Sequence, residues 1–257
     1  MNKIIKKICV IQARMGSQRL PGKVLKKINQ KTLIETLINR IQHSKIDKLL
    51  VATTNNIEDD VLCEFLKSKN ISYFRGSDWD VLDRFYNAVN DFNLNPDDLI
   101  IRICSDNPLH HYDVVNFAIN QCVVNDYDYF SNSNLEPDFL EDGIDSEVFK
   151  YSTLEKAWKE AELLSEREHV CPYMKKTELF KCGWLKYNQN YNFKLSVDTK
   201  EDLLLVKKII KKFGEDINIA ELVNVLKTNP ELLKINKNSI INSGYHKSLK
   251  EDKYIEK

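Results

Sequence analysis

"KICVIQARMGSQRLPGK", Lys7 to Lys23, couples a short unbroken apolar run to a basic loop that closes on Gly-Lys. The run from Ile8 to Ile11 has no polar alternation and is too short for a helix, so it reads as a strand buried on both faces of a parallel sheet. The pattern then repeats. "LIETLINRIQHS" carries apolar residues three and four apart (Leu33, Leu37, Ile38, Ile41), "KLLVATT" is another strand-like run, and "IEDDVLCEFLKSKN", "ISYFRG", "DVLDRFYNAVNDF" and "DLIIRI" continue the alternation. This is β-α-β-α order, which predicts an α/β chain with a mostly parallel central sheet between two layers of helices. Such sheets bind ligands outside the carboxyl ends of their strands. The residues at issue are therefore the loop after Ile11, "TTNN" after Ala52, "RGS" after Phe74 and "CSDNP" after Ile103.

Composition narrows the function. With 38 basic and 38 acidic residues in a chain of 257, bulk charge gives no support for nucleic-acid binding. No window approaches a membrane span, and nothing near the amino terminus has the length of a secretory h-region, so the expected location is cytoplasmic. The six cysteines form no C-x-x-C pair and read as reduced, packed thiols rather than a zinc site. Charge is nevertheless segregated. Residues 1 to 34 hold nine Lys or Arg and no acid, whereas residues 103 to 149 hold ten Asp or Glu and no Lys or Arg. An anion grip facing a carboxylate-rich region suited to a divalent cation is the implication.

The Gly-Lys ending invites comparison with a P-loop. That motif has four residues between its glycines and a Ser or Thr after the lysine; here five residues separate Gly16 from Gly22, and Val24 follows Lys23. G-x-G-x-x-G is absent as well. What remains is a long loop offering Arg14, Arg19 and Lys23, the hydroxyl of Ser17, and backbone N–H groups near Gly16, enough to divide a triphosphate's charge.

"QARMGSQRLPGKVL" resembles the signature of the cytidylyltransferase family that includes SpsF-type spore-coat polysaccharide proteins and is related to the CMP-Kdo and CMP-sialic acid synthetases. "VATTNNIEDD", "FRGSDWDVLDRFY", "RICSDNPL", "DGIDSEVF", "SEREHVCPY" and "LSVDTKEDL" resemble further family blocks in the same order, so that roughly residues 7 to 212 are covered. The resemblance implies a three-layer α/β/α Rossmann-like nucleotidyltransferase fold, GT-A-like, with a small inserted β-ribbon and helical region. It implies transfer of CMP from CTP to a sugar-like acceptor, an acidic sugar or a sugar phosphate, with release of pyrophosphate, Mg²⁺ as cofactor and a homodimer as the assembly. GTP as donor and a catalytically silent nucleotide-sugar binding module are the alternatives. A glycosyltransferase is a weaker one, since Asp126 and Asp128 have D-x-D spacing but sit in a strand-like run.

Under that resemblance Gln12, Ala13, Arg14, Gly16, Ser17, Arg19, Lys23, Thr53, Arg75, Ser77, Asp83 and Arg84 bind the nucleotide, with Arg14, Lys23 and Asp106 carrying catalysis. Asp83 and Arg84 read equally as a pair on a helix surface. Asp106 is the first metal ligand, although Ser105 stands where relatives usually have glycine. Asp198 is the second; its rival role is helix N-cap in a box with Glu201, and the resemblance favours the metal with Thr199 capping. Arg102, Asp145, Glu147, Arg167, Glu168 and His169 are expected at the acceptor, Asp145 and Glu147 on one strand face if not turned to solvent. The nucleotidyltransferase domain is placed at 1–227, with an acceptor and dimerisation region at about 130–192 that includes an antiparallel ribbon from "FKCGWLKY" and "YNFKLSV". Residues 228–257 form an extension whose last ten residues are expected to be loosely held.

Overall fold

A computed structural model of the chain describes residues 4–132, 142–185, 193–241 and 243–255. β1 (Lys7–Gln12) leads through the basic loop to a two-stranded ribbon, β2 (Lys27–Ile28) and β3 (Lys31–Thr32), then to α1 (Leu33–Ile41) and β4 (Lys48–Thr54). α2 (Asp60–Ser68), β5 (Ser72–Gly76), α3 (Val81–Asn90) and β6 (Leu99–Cys104) complete the alternating half. α4 (Tyr112–Asn125), β7 (Tyr129–Ser131), β8 (Glu147–Lys150), α5 (Tyr151–Glu160), α6 (Leu164–His169) and β9 (Cys182–Trp184) follow. The chain finishes with α7 (Lys200–Phe213), α8 (Ile219–Thr228), α9 (Pro230–Leu233) and α10 (Ser243–Lys250).

The seven-stranded sheet has the order β5-β4-β1-β6-β8-β7-β9, and only β8 runs against the others. Strand order reverses at β1, whose neighbours β4 and β6 carry the chain away in opposite directions, and a crevice opens at their carboxyl ends. Alternation along β1 divides the core. Ile8 and Val10 join Leu50, Ala52 and Ile100 beneath α3 and α5, while Cys9 and Ile11 join Val51, Ile101 and Ile103 beneath α1, α2 and α4. This is the three-layer arrangement expected from the strand runs.

A third cluster explains the position of the basic loop. Leu20 from the loop and Ile28 from the ribbon are buried with Leu195, Val197, Leu205 and Val206, so α7 and the segment before it pack directly against the loop. α7 starts where it does because Thr199 accepts from the Asp202 N–H while the Asp202 carboxylate accepts from the Thr199 N–H, a reciprocal cap. The box is thus Thr199 with Asp202, not Asp198 with Glu201, and the Asp198 carboxylate is left for other partners.

Three expectations are corrected. β9 pairs in parallel with β7, and Lys194 bridges Asp142, so the two runs do not form an antiparallel ribbon among the described residues; "NQN" between them lies outside these. Asp145 precedes β8, which begins at Glu147, and the two do not share a strand face. The tail is tied down: Asp252 accepts from the Ser165 N–H at 2.9 Å and hydroxyl at 2.6 Å, the Lys253 carbonyl accepts from Leu164 N–H, and Ile255 N–H donates to the Glu162 carbonyl. Those groups satisfy N–H donors that the first turn of α6 cannot satisfy itself.

Candidate active site

Lys23 organises the strand-end crevice. Its ammonium lies 2.7 Å from Asp106 Oδ2, 2.9 Å from Asp198 Oδ1 and 2.9 Å from the Val197 carbonyl. The loop after β1, the loop after β6 and the segment before α7 therefore converge on one cation. Arg19 reaches the same Asp198 oxygen at 2.9 Å. Lys194, which the sequence reading passed over, holds the other oxygen of Asp198 at 3.0 Å and the Ser196 hydroxyl at 2.6 Å. Burial pushes the Asp198 carboxyl up, but Lys23 and Lys194 outweigh it and hold the group down to about 2. Burial alone would lower the Lys23 pKa; Asp106 and Asp198 together raise it above its usual value. Ser105 is not among the residues with positive φ, so a side chain in place of glycine costs no backbone strain there.

The basic loop is stapled from below. Buried Asp59 accepts from the Met15 N–H at 2.6 Å and from the Thr54 hydroxyl, and Ala13 N–H donates to the Ala52 carbonyl at 3.1 Å. Gly22 takes the left-handed conformation at φ 66°, and its N–H returns to the Met15 carbonyl at 3.0 Å, closing the loop on itself. A Cβ on Gly16 would meet Glu58 Oε1 at 2.5 Å. The Ser17 hydroxyl accepts from Leu20 N–H at 3.4 Å. Arg14 points to the other side of the crevice and pairs with Asp78 at 2.6 Å.

Several residues expected at the nucleotide have structural partners. Arg75 pairs with Asp60 at 2.5 Å and donates to the Thr54 and Asn56 carbonyls, fastening the end of β4 to α2. Arg84 is buried and donates to the Ser77 carbonyl, while Asp83 accepts from the Trp158 indole N–H at 2.9 Å. Asp83 and Arg84 are thus not a surface ion pair. The Ser77 hydroxyl accepts from Asp80 N–H at 3.0 Å. Thr53 is fully buried near the end of β4, and its hydroxyl has no hydrogen-bond partner among the described residues.

Beside the Lys23 cluster is a second polar group, centred on Glu147. The carboxylate meets Arg102, accepts from the Tyr129 hydroxyl at 2.6 Å and lies 3.3 Å from the Lys175 ammonium. Gln12, the last residue of β1, accepts from Arg102 at 3.0 Å, and its carbonyl accepts at 3.0 Å from the N–H of Ser105, next to Asp106, which links the two groups. Burial would raise the Glu147 pKa, but Lys175 and Arg102 hold it at about 2. His169 borders this cluster, its ring edge-on to Tyr245 with centroids 4.8 Å apart, and burial lowers its pKa. It is aimed by an unusual turn. Cys171 N–H donates to the His169 carbonyl at 2.8 Å across Val170, which is fully buried at φ 69°, ψ −55°, a rare γ-turn conformation for a β-branched residue. Glu168 accepts from the Ser248 hydroxyl at 2.8 Å.

The partner of Arg167 is internal. Its guanidinium forks onto Asp80 through Nε at 2.9 and 3.0 Å and Nη2 at 2.5 Å, and its Nη1 donates to the Trp158 carbonyl at 2.6 Å. Asp80 also caps α3 by accepting from Asp83 N–H at 2.9 Å. With its fork occupied, Arg167 fastens α6 to α3 rather than presenting a free cation to an acceptor. Asp59, Asp80, Lys175 and Lys194 were missed because each looks like an ordinary cap or surface charge until the fold brings its partner.

Two carboxylates, one from the loop after β6 and one from the segment before α7, already converging on a cation, form a hard-oxygen pair that suits Mg²⁺, which commonly takes one or two carboxylates and completes its shell with phosphates and water. No group of three or more His, Cys, Asp or Glu forms a ready-made metal cage among the described residues. Asp106 and Asp198 therefore fit a cation that arrives with phosphate ligands.

The profile of the family described as Cytidylyltransferase matches residues 8–247. The chain is 38% identical over 240 residues to Uncharacterized protein MJ1063 of Methanocaldococcus jannaschii, spanning 91% of this chain and 96% of that protein. It is 32% identical over 236 residues to the spore coat polysaccharide biosynthesis protein SpsF of Bacillus subtilis, spanning 86% of this chain and 94% of that one. Among solved structures, a cytidylyltransferase from Leptospira borgpetersenii superposes with a TM-score of 0.83 at 30% identity, over 93% of this chain and 99% of the other. The basic loop, the strand order and the matches along the chain lead to one assignment: this protein belongs to the cytidylyltransferase family.

Proposed function

We propose that the protein transfers CMP from CTP to a sugar-like acceptor carrying an acid or phosphate group, releasing pyrophosphate, in the assembly of a surface polysaccharide. The observation that carries this reading is the meeting of Lys23 from the basic loop with Asp106 from the loop after β6 and Asp198 from the segment before α7. Family membership and the likeness to SpsF support the donor and the pathway class.

In this reading an acceptor oxygen attacks the α-phosphorus, either an anionic phosphate oxygen or a sugar hydroxyl that gives its proton to water, the bond to the bridging oxygen breaks, and pyrophosphate leaves with its electron pair. Arg14, Arg19 and Lys23 bind the triphosphate, and backbone N–H groups near Gly16 approach its oxygens. Asp106 and Asp198 would hold Mg²⁺, which supplies charge stabilisation at the reacting phosphate. Gln12 and Arg102 tie the donor side to the acceptor side, where Lys175 and Arg102 attract an anionic acceptor and Glu147 keeps both cations in place. Catalysis is then chiefly positioning and charge neutralisation. A homodimer and a cytoplasmic location belong to the same proposal.

Pyrophosphate release is the test, measured with CTP, GTP, UTP and ATP against a panel of acidic sugars and sugar phosphates. Turnover with CTP and at least one acceptor is expected, and Asp106→Asn should abolish it while leaving the melting curve cooperative. Absence of release with every pair refutes the reading. Preference for GTP would revise the donor, and CTP binding without consumption would identify a silent binding module.

A further inference from the structure

Lys23 stands between the two carboxylates that would hold the cation. Its ammonium touches Asp106 Oδ2 and Asp198 Oδ1 at hydrogen-bond distance, with 11% of the side chain exposed and 15% of Asp198. A divalent cation bound to both oxygens and a lysine ammonium on the same two oxygens would bring like charges together in a poorly solvated place. We propose that Lys23 and the divalent cation occupy this place in turn, so that the cation enters only as the triphosphate draws Lys23 away. This rests on the nucleotidyltransferase reading and adds an order of binding to it.

The surroundings distinguish Lys23 from the other two cations on Asp198. Lys194 is more deeply buried and is held by the Ser196 hydroxyl at 2.6 Å, the Ser196 carbonyl at 3.1 Å and Asp142 at 3.4 Å besides Asp198. With these further anchors it stays. Arg19 meets Asp198 at 2.9 Å, but 45% of its side chain is exposed to water. Lys23 joins both ligand carboxylates, with little of its side chain exposed, and it does so from the basic loop. A phosphate oxygen offers it a charge-assisted partner equivalent to the carboxylates it gives up. The exchange offsets charge: the divalent cation adds two positive charges as the triphosphate brings in its negative charge, and the displaced ammonium stays paired with a phosphate oxygen.

The experiment measures Mn²⁺ affinity of the full-length protein without nucleotide, by the free Mn²⁺ signal in electron paramagnetic resonance. Lys23→Met is expected to bind Mn²⁺ about tenfold more tightly than wild type, whereas Arg19→Met should shift the affinity less than about threefold, because nearly half of the Arg19 side chain faces water and its charge is screened. Equal gains in both variants would reduce the effect to general electrostatics and overturn the exchange, as would an unchanged affinity in Lys23→Met. Lys23→Gln keeps an amide donor for the carboxylates and serves if Lys23→Met does not fold, with the same gain expected and the same results overturning it. Because no turnover is measured, failure of pyrophosphate release would count against the proposed reaction, while the Mn²⁺ comparison reports separately on the exchange.

Discussion

Replacing Asp80 with alanine should destabilise this protein more than removing almost any other surface-adjacent carboxylate. Asp80 and Arg167 are an 87-residue-separated pair with only 10% and 8% of their side chains exposed, joined by three N–H···O contacts between 2.5 and 3.0 Å. Removing one partner leaves a guanidinium buried without its counter-charge, which costs roughly 3–5 kcal/mol. Asp80→Ala also removes the α3 cap, worth about 1 kcal/mol. The expected loss of roughly 4–6 kcal/mol corresponds to a fall in melting temperature of about 10–20 °C for a chain of this size. Asp80→Asn keeps a capping oxygen and should lose about 1 kcal/mol less. The double variant Asp80→Asn/Arg167→Met contains no buried unpaired charge and should recover most of the loss. Urea denaturation followed by circular dichroism at low and high salt measures all three. A loss below about 1 kcal/mol for Asp80→Ala, or one that disappears at 0.5 M salt as a solvated pair would, refutes the assignment of Arg167 to the scaffold.

Stability should also fall with acid in two stages. His110 is fully buried, and burial pulls its pKa from 6.5 to about 3, so the unfolded chain takes a proton below 6.5 that the folded chain refuses. Glu147, held at about 2 against its usual 4.5, contributes stability above 4.5 that is lost as pH falls toward 2. The urea midpoint should therefore decline first between 6.5 and 4.5 and then more steeply; in His110→Gln the first decline should shrink, with His111 and His169, also lowered by burial, supplying the remainder, and an unchanged decline would exclude His110 as a source. Thr199→Ala should cost about 1 kcal/mol through the α7 cap, whereas Glu201→Ala should cost under about 0.5 kcal/mol; the reverse order in thermal melts would restore the cap to Asp198.

The parallel half of the fold is legible because its signals are local. "KICVI", "KLLVATT" and "DLIIRI" are unbroken apolar runs, and buried parallel strands have no other common appearance. Asp106 and the basic loop were found by asking which residues end those strands. Asp198 was found by resemblance, since its position before α7 is equally that of a cap, and a box written Thr199-Asp202 overlaps one written Asp198-Glu201. Side-chain partners separated by many residues had no such local signal. Arg167 and Asp80 lie 87 residues apart, and the Lys194 ammonium is defined by Asp142 from 52 residues upstream. Arg40, on α1, donates to the carbonyls of Leu109, His110 and Ile217, tying the loop that carries Asp106 to the turn before α8; nothing in "LINRIQHS" distinguishes it from a solvated arginine. The β9 error arose because two strand-like runs separated by three residues look like a hairpin, whereas β7 supplied a better partner from elsewhere in the chain.

Leu20 changes how the basic loop should be valued. Because its side chain is packed with Val197 and Leu205, and because Met15, Ser17 and Gly22 are fixed by hydrogen bonds, the loop is ordered as part of the core rather than by whatever it grips. Fixing one backbone residue costs roughly 1–2 kcal/mol of conformational entropy. For this loop that loss falls within folding, so the affinity of Arg14, Arg19 and Lys23 for an anion is not diminished by the cost of arranging the chain that presents them.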